Sequence, residues 1–267
     1  LLESTGRSEQ YSPDKVQEIR TYYGNVYGDG RNELIVTAFF PPRDTFVAVY
    51  EPVEGGYKFV SEVGLFSDVK NVQFFPIDSL DYDILLLDEY SDQFIGAFEK
   101  SSLIRGYLWD NGKFNQVLKL PKNIEASWNT RFDSAENDIL WERVTQTTDT
   151  LYNNGQNPSL SLTHIQKFLQ SSNTDPGGMP MDNTFSVVKE RVENEKYIWS
   201  DKWKYFIIAE AVETSTGQTV AVLEDFNKSP YFLVPDYELK DKIRILRSDG
   251  TTAIISGSAV ESPVQPK

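Results

Sequence analysis

An all-β protein built from repeated strand units is the fold class this sequence predicts, and three observations carry that expectation. Aromatic residues make up 13% of the 267 positions, with 16 Phe, 14 Tyr and 5 Trp, and such side chains suit the half-buried pleated surface of a strand. Short apolar runs of strand length recur between clusters of Gly, Pro, Asn and Asp. A turn-and-strand phrase is also written more than once: Asp78-Ser79-Leu80-Asp81-Tyr82-Asp83-Ile84-Leu85 and Asp133-Ser134-Ala135-Glu136-Asn137-Asp138-Ile139-Leu140 share five of eight residues. A third version, Asn25 to Ile35, again runs an acidic loop into an apolar strand. Repetition of one supersecondary unit every few tens of residues is the signature of propellers, solenoids or arrays.

The elements follow in order. The segment from Pro13 to Arg20 reads as a short helix. Leu34 to Phe40 is a continuous strand of the kind covered on both faces, stopped by Pro41-Pro42. Phe46 to Tyr50 returns, and Tyr57 to Val60 follows the Glu54-Gly55-Gly56 turn. The second unit repeats this with Ile84 to Leu87, a turn at Ser91-Asp92 and a return at Phe94 to Phe98. Tyr107-Leu108-Trp109 and Phe114 to Leu118 flank Asp110-Asn111-Gly112, a strong hairpin signal. Ile139-Leu140-Trp141 and Thr150-Leu151-Tyr152 belong to the third unit. The acids that open the three units, Glu33, Asp83 and Asp138, are spaced by 50 and 55 residues, a spacing that suits four-stranded propeller blades.

The regularity then breaks. Between 153 and 183, Leu162, Ile165 and Leu169 stand at helical spacing, so the segment from Pro158 to Leu169 reads as a short inserted helix. Phe185 to Val188 resumes strand structure, and Glu190 to Glu195 reads as a solvated strand edge or hairpin tip. Tyr197-Ile198-Trp199 echoes Tyr107-Leu108-Trp109, while Phe206 to Ala209 with Val220 to Glu224 echoes the first paired strands. The two echoes conflict, because the strand at Phe206 cannot both close one unit and open the next. Further strands are expected at Tyr231 to Val234, Lys242 to Leu246 and Thr252 to Ile255, followed by a solvated tail from Gly257. The fold expected is thus a single domain over residues 1–267 with four or five blades and a helical insertion at 153–183. Two packed β domains, a repeat domain at 17–152 and a smaller one at 184–260, are the alternative.

Composition excludes several function classes. A net charge of -14 repels phosphate backbones and anionic lipid surfaces, so nucleic acid is not an expected partner. Without cysteine there are no disulfides, zinc-thiolate sites or thiol nucleophiles. No apolar run is long enough to span a membrane as a helix. The chain begins Leu1-Leu2-Glu3 without an initiator Met, which predicts an exported protein that has lost a signal peptide or lipoprotein anchor.

Asn25, Asp29 and Glu33 present side-chain oxygens at every fourth position, with Gly30 allowing a tight turn. Hard cations such as calcium take six to eight oxygens; the alternative is that these acids cap turns by accepting backbone N–H bonds. The stretch Asn25 to Ile35 resembles the calcium loop of FG-GAP and related integrin-type propeller repeats, with Asn25, Asp29, Gly30 and Glu33 matching and Tyr27 standing where an acid or Asn is expected. The resemblance implies possible calcium as the cofactor, with Asn25, Asp29 and Glu33 as ligands. It also implies an extracytoplasmic, non-catalytic binding module of the bacterial envelope, secreted or lipid-anchored.

Among the tryptophans, Trp109 and Trp199 lie near turns and are candidates for stacking on a carbohydrate, peptide or protein ligand, with core packing as the alternative. Catalytic constellations are sparse. His164 is the sole histidine and falls on the expected helix. Acid pairs such as Asp81 with Asp83 leave a secreted carbohydrate-active hydrolase as the rival function.

Overall fold

The computed structural model describes residues 2–3, 5–7, 9–95, 97–130, 140–155, 157–171 and 178–261, with backbone alone for 93–95 and 97. The chain is all-β, 64% strand and 7% helical, in several antiparallel sheets. Two compact units divide it: Leu1–Asp92 with Ser101–Pro121 and Asn154–Gln156, and Gln93–Lys100 with Lys122–Asn153 and Asn157–Lys267.

In the first unit, β1 (Glu18–Gly24), β2 (Glu33–Phe40), β3 (Asp44–Val53) and β4 (Gly56–Phe66) form a four-stranded antiparallel meander. The expected order of strands and turns holds from β2 to β4, and β1 is an additional strand that begins where a helix was expected. Thr45 to Val49 of β3 is buried at every position, as a strand covered on both faces must be. Only Pro13–Lys15 is helical in the leading segment, as a 3-10 turn, and Glu18 to Arg20 already belongs to β1. Val26, Ile35, Val47, Val49, Phe66, Leu85 and Leu87 lie in one apolar core.

An eight-stranded sheet takes its strands in chain order: β5 (Asp68–Phe75), β6 (Ile84–Ile95), β7 (Ala97–Asp110), β8 (Lys113–Asn129), β9 (Trp141–Asn153), β10 (Ser159–Ser171), β11 (Ser186–Ser200) and β12 (Tyr205–Ile207). A third sheet holds β13 (Ala209–Glu213), β14 (Thr219–Asp225), β15 (Lys242–Leu246), β16 (Thr252–Ser256) and β17 (Val260–Glu261). Strands therefore group as four, eight and five, and no closed propeller is shown. The physical reason is strand length. The sequence places a turn at Ser91-Asp92, yet β6 runs through it to Ile95, and β8 extends over 17 residues. Long, uninterrupted strands keep adding to one ladder where short ones would close a blade. The second copy of the repeated phrase, residues 132–139, lies outside the described residues.

The largest correction concerns the expected helix. Residues Ser159–Ser171 are strand β10, paired along its length with β9 on one side and β11 on the other. Its buried side is Leu160, Leu162, His164, Gln166 and Phe168, at a period of two, while Thr163 and Ile165 face outward. The helical spacing of Leu162, Ile165 and Leu169 is incidental, because two core positions carry polar side chains that hydrophobic periodicity does not count. The charged run Glu190 to Glu195 is the expected strand edge and not a hairpin tip: among the described residues it pairs with β10 alone, since β12 meets β11 only at Ile198–Ser200, and Arg191, Glu193 and Glu195 take its less exposed side.

The conflict at Phe206 resolves by division. Phe206 pairs with Trp199 in the eight-stranded sheet, and three residues later Ala209 opens the third sheet against Val222. Tyr231 to Leu233 is a 3-10 turn, begun by Pro230 and capped by the Ser229 hydroxyl, and not the expected strand. Val260 and Glu261, placed in the tail by sequence, pair with Glu213 and Val212.

Candidate functional site

Residues 25–32 form the loop joining β1 to β2, whose ladder ends at the pair Gly24 and Glu33. Glu33 is fully buried, and its Oε2 accepts hydrogen bonds from the backbone N–H groups of Val26 (2.8 Å) and Tyr27 (3.1 Å). Its Oε1 is buried with no hydrogen-bond partner, and burial pushes this carboxyl above its usual range. Asn25 Oδ1 accepts from the Gly28 N–H (3.3 Å), while Asn25 Nδ2 donates to the Asp81 carbonyl (2.8 Å). Asp29 accepts from the Arg31 backbone N–H (2.9 Å) and guanidinium (2.8 Å), and the Arg31 hydrogen bond holds its carboxyl low.

Each of the three expected cation ligands thus serves donors of its own loop. Among the described residues no group of three or more His, Cys, Asp or Glu is arranged to hold a metal. The geometry of Asn25, Asp29 and Glu33 is that of turn caps.

What the loop does gather is aromatic surface. Tyr27, at the position where the repeat pattern expects an acid, packs its ring on Trp109 with centroids 4.8 Å apart, and Trp109 meets Phe114 edge-on at 5.0 Å. All three are half-buried. The Tyr82 hydroxyl donates to the Trp109 carbonyl (2.8 Å). Burial, then the charges of Asp110 and Asp81, raise the pKa of that phenol. Asp81 and Asp110 are themselves exposed. The Asp83 N–H donates to the Asn25 carbonyl (2.7 Å), so two copies of the repeated phrase are docked on each other. Asp110-Asn111-Gly112 forms the expected tight hairpin, with φ of 52° at Asn111 and 82° at Gly112.

Trp109 and the Asn25–Glu33 loop, found separately in the sequence, are therefore brought together in the first unit. Trp199 is not part of this group. It belongs to the second unit, only 9% exposed, with its ring edge-on to Phe206 at 5.4 Å and its Nε1 donating to Asp201 (3.0 Å). That is core packing, and it leaves little ring face for a ligand. Of the acid pair named in the sequence, Asp81 is exposed and Asp83 is half-buried, with a carboxyl that burial raises.

A buried polar group in the second unit was missed by the sequence reading. On β9 and β10, Gln146, Thr148, His164 and Gln166 are each 6% exposed or less. His164 bonds Thr148 Oγ1 through Nδ1 (2.7 Å) and Glu195 Oε2 through Nε2 (3.0 Å). An unpaired buried polar group costs about 1–3 kcal/mol, so these residues are tolerated because they satisfy one another. His164 is a strand residue inside this network and not the helix residue expected. The signal available was alternation: Leu162, His164, Gln166 and Phe168 stand two apart.

No protein-family model matches the chain, and no curated protein matches its sequence.

Proposed function

We propose that this chain is an extracytoplasmic, non-catalytic binding module whose ligand surface is the aromatic end of the first unit, and that the ligand is a neutral or amino-sugar polymer. The observation that carries the reading is the contact of Tyr27, Trp109 and Phe114, three half-buried rings beside the exposed carboxylates of Asp81 and Asp110. Flat apolar ring faces suit the C–H faces of a sugar, and carboxylates accept hydrogen bonds from its hydroxyls or ammonium groups. The net charge of -14 disfavours polyanionic ligands.

Affinity electrophoresis tests this. Migration of the protein is expected to slow in gels containing hydroxyethylcellulose or glycol chitosan, not in gels containing polygalacturonate, and Trp109→Ala is expected to restore free migration. Equal migration of the two proteins in every gel sinks the proposal.

A further inference from the structure

The buried network of the second unit has a direction. Arg191 can only donate, and its Nε is 2.7 Å from Gln166 Oε1; the Lys228 carbonyl can only accept, and Gln166 Nε2 is 2.6 Å from it. These two contacts fix how the Gln166 amide is turned. Its Nε2 also donates to Gln146 Oε1 (2.7 Å), which leaves Gln146 Nε2 to donate to Thr148 Oγ1 (3.3 Å). The Thr148 hydroxyl proton is then directed to His164 Nδ1, so the imidazole carries its proton on Nε2 and donates to Glu195. Arg191 thus sets the tautomer of His164 through four intervening hydrogen bonds. Both ends of the chain lie on β11, and Glu193 between them pairs with Arg191 (3.4 Å) and with Lys228.

The same chain holds the segment 226–233 against the sheet. Gln166 donates to the Lys228 carbonyl, Arg191 to the Ser229 carbonyl (2.8 Å) and Lys189 to the Leu233 carbonyl (3.0 Å), while the Arg191 guanidinium lies 4.7 Å from the Phe232 ring centre.

We propose that this network is a proton-sensitive latch: a second proton on His164 reverses the chain and loosens segment 226–233. An N–H at Nδ1 must donate to Thr148 Oγ1, which already accepts from Gln146, so the Thr148 proton loses its acceptor. Turning the Gln146 amide would restore one, but its NH2 would then face the NH2 of Gln166. Gln166 cannot follow while segment 226–233 is seated, because a turned amide presents NH2 to Arg191 and oxygen to the Lys228 carbonyl. Strain created at His164 is therefore released at the cover. Of the charged and titratable groups, Glu195 from β11 touches the imidazole; Arg191, Glu193 and Tyr197 from the same strand, Glu224 and Asp225 from β14 and Lys228 from the covering turn lie along the network, and β9 contributes the neutral Gln146 and Thr148.

Because His164 is the sole histidine, nitrogen NMR of labelled protein reads it without assignment. At neutral pH, Nδ1 is expected to resonate as an unprotonated, pyridine-type nitrogen and Nε2 as a protonated, pyrrole-type one. As pH falls, both become pyrrole-type, and amides of residues 226–233 lose exchange protection with the same midpoint. Thr148→Val, which has no hydroxyl to orphan, is expected to leave the imidazole titration in place and abolish its coupling to protection; Thr148→Ser retains the coupling. An Nδ1–H tautomer at neutral pH overturns the proposal, as does an imidazole that stays neutral until the protein unfolds. Unchanged protection through the wild-type titration, or coupling that survives in Thr148→Val, overturns it equally.

Discussion

Glu33→Gln isolates the energetics of the β1–β2 loop. The buried carboxylate accepts two backbone N–H groups on Oε2 and leaves Oε1 unsatisfied. Gln keeps one acceptor for Val26 and Tyr27 and replaces the charge, so at pH 7 the variant is expected to lie within about 1 kcal/mol of the wild type. Glu33→Ala removes the acceptor altogether. Val26 is fully buried, so its N–H loses its partner out of reach of water, and a cost of about 2 kcal/mol follows. The pH dependence has a definite sign. Burial raises the Glu33 pKa in the folded state, so the native protein binds the proton more tightly than the unfolded chain. That stabilisation is fully present below the ordinary carboxylate value, about 4.3, and is lost as pH rises through the folded-state value. Asp83 shifts in the same direction but is present in both proteins and cancels. Urea denaturation at pH 4 and pH 7 should therefore show the wild type losing stability relative to Glu33→Gln on going to pH 7. A difference that is constant, or that moves the other way, refutes the argument that Glu33 is an ionisable group held in an apolar site.

Gly28→Ala is expected to destabilise by about 1–2 kcal/mol, measured by thermal melting, since Gly28 has φ of +86° and an added Cβ would lie 2.8 Å from the Tyr82 ring. Calcium at millimolar concentration is expected to leave the melting temperature unchanged, because Asn25, Asp29 and Glu33 already serve loop donors; an upward shift would show cation binding to the native state. Replacing Arg143 by Met is expected to cost about 2–3 kcal/mol, because the residue is 5% exposed and its guanidinium donates to Ser127 and Asp182 (2.8 Å each) over the Phe185 ring. Urea midpoints of the two proteins check it.

How legible the chain was in its sequence depended on which residues filled the core positions. The strand order from Glu33 to Phe66 and the Asn111-Gly112 hairpin followed from apolar runs and turn chemistry, whereas β1, whose residues alternate in exposure without an apolar run, did not. The β10 strand did not, because His164 and Gln166 occupy buried positions and hydrophobic periodicity groups Leu162, Ile165 and Leu169 on one helical face. Their burial is possible through partners on β9 and β11, far away in sequence. Tyr231 to Leu233 failed for a local reason: Ser229 and Pro230 start a 3-10 turn, and three apolar residues do not outweigh that. At the site, the acids of the first loop were visible as oxygens, but whether they faced a cation or their own backbone could be decided only by geometry. Tyr27, the departure from the repeat pattern, proved to be the residue that joins this loop to Trp109.

The most direct test of the binding account is the indole N–H spectrum of labelled protein, titrated with chito- or cello-hexaose, with Trp109→Phe and Trp199→Phe used to assign the two signals. The account predicts that the Trp109 signal shifts saturably while Trp199, packed on Phe206, stays fixed. A stationary Trp109 signal throughout the titration, or a shift confined to Trp199, would contradict it.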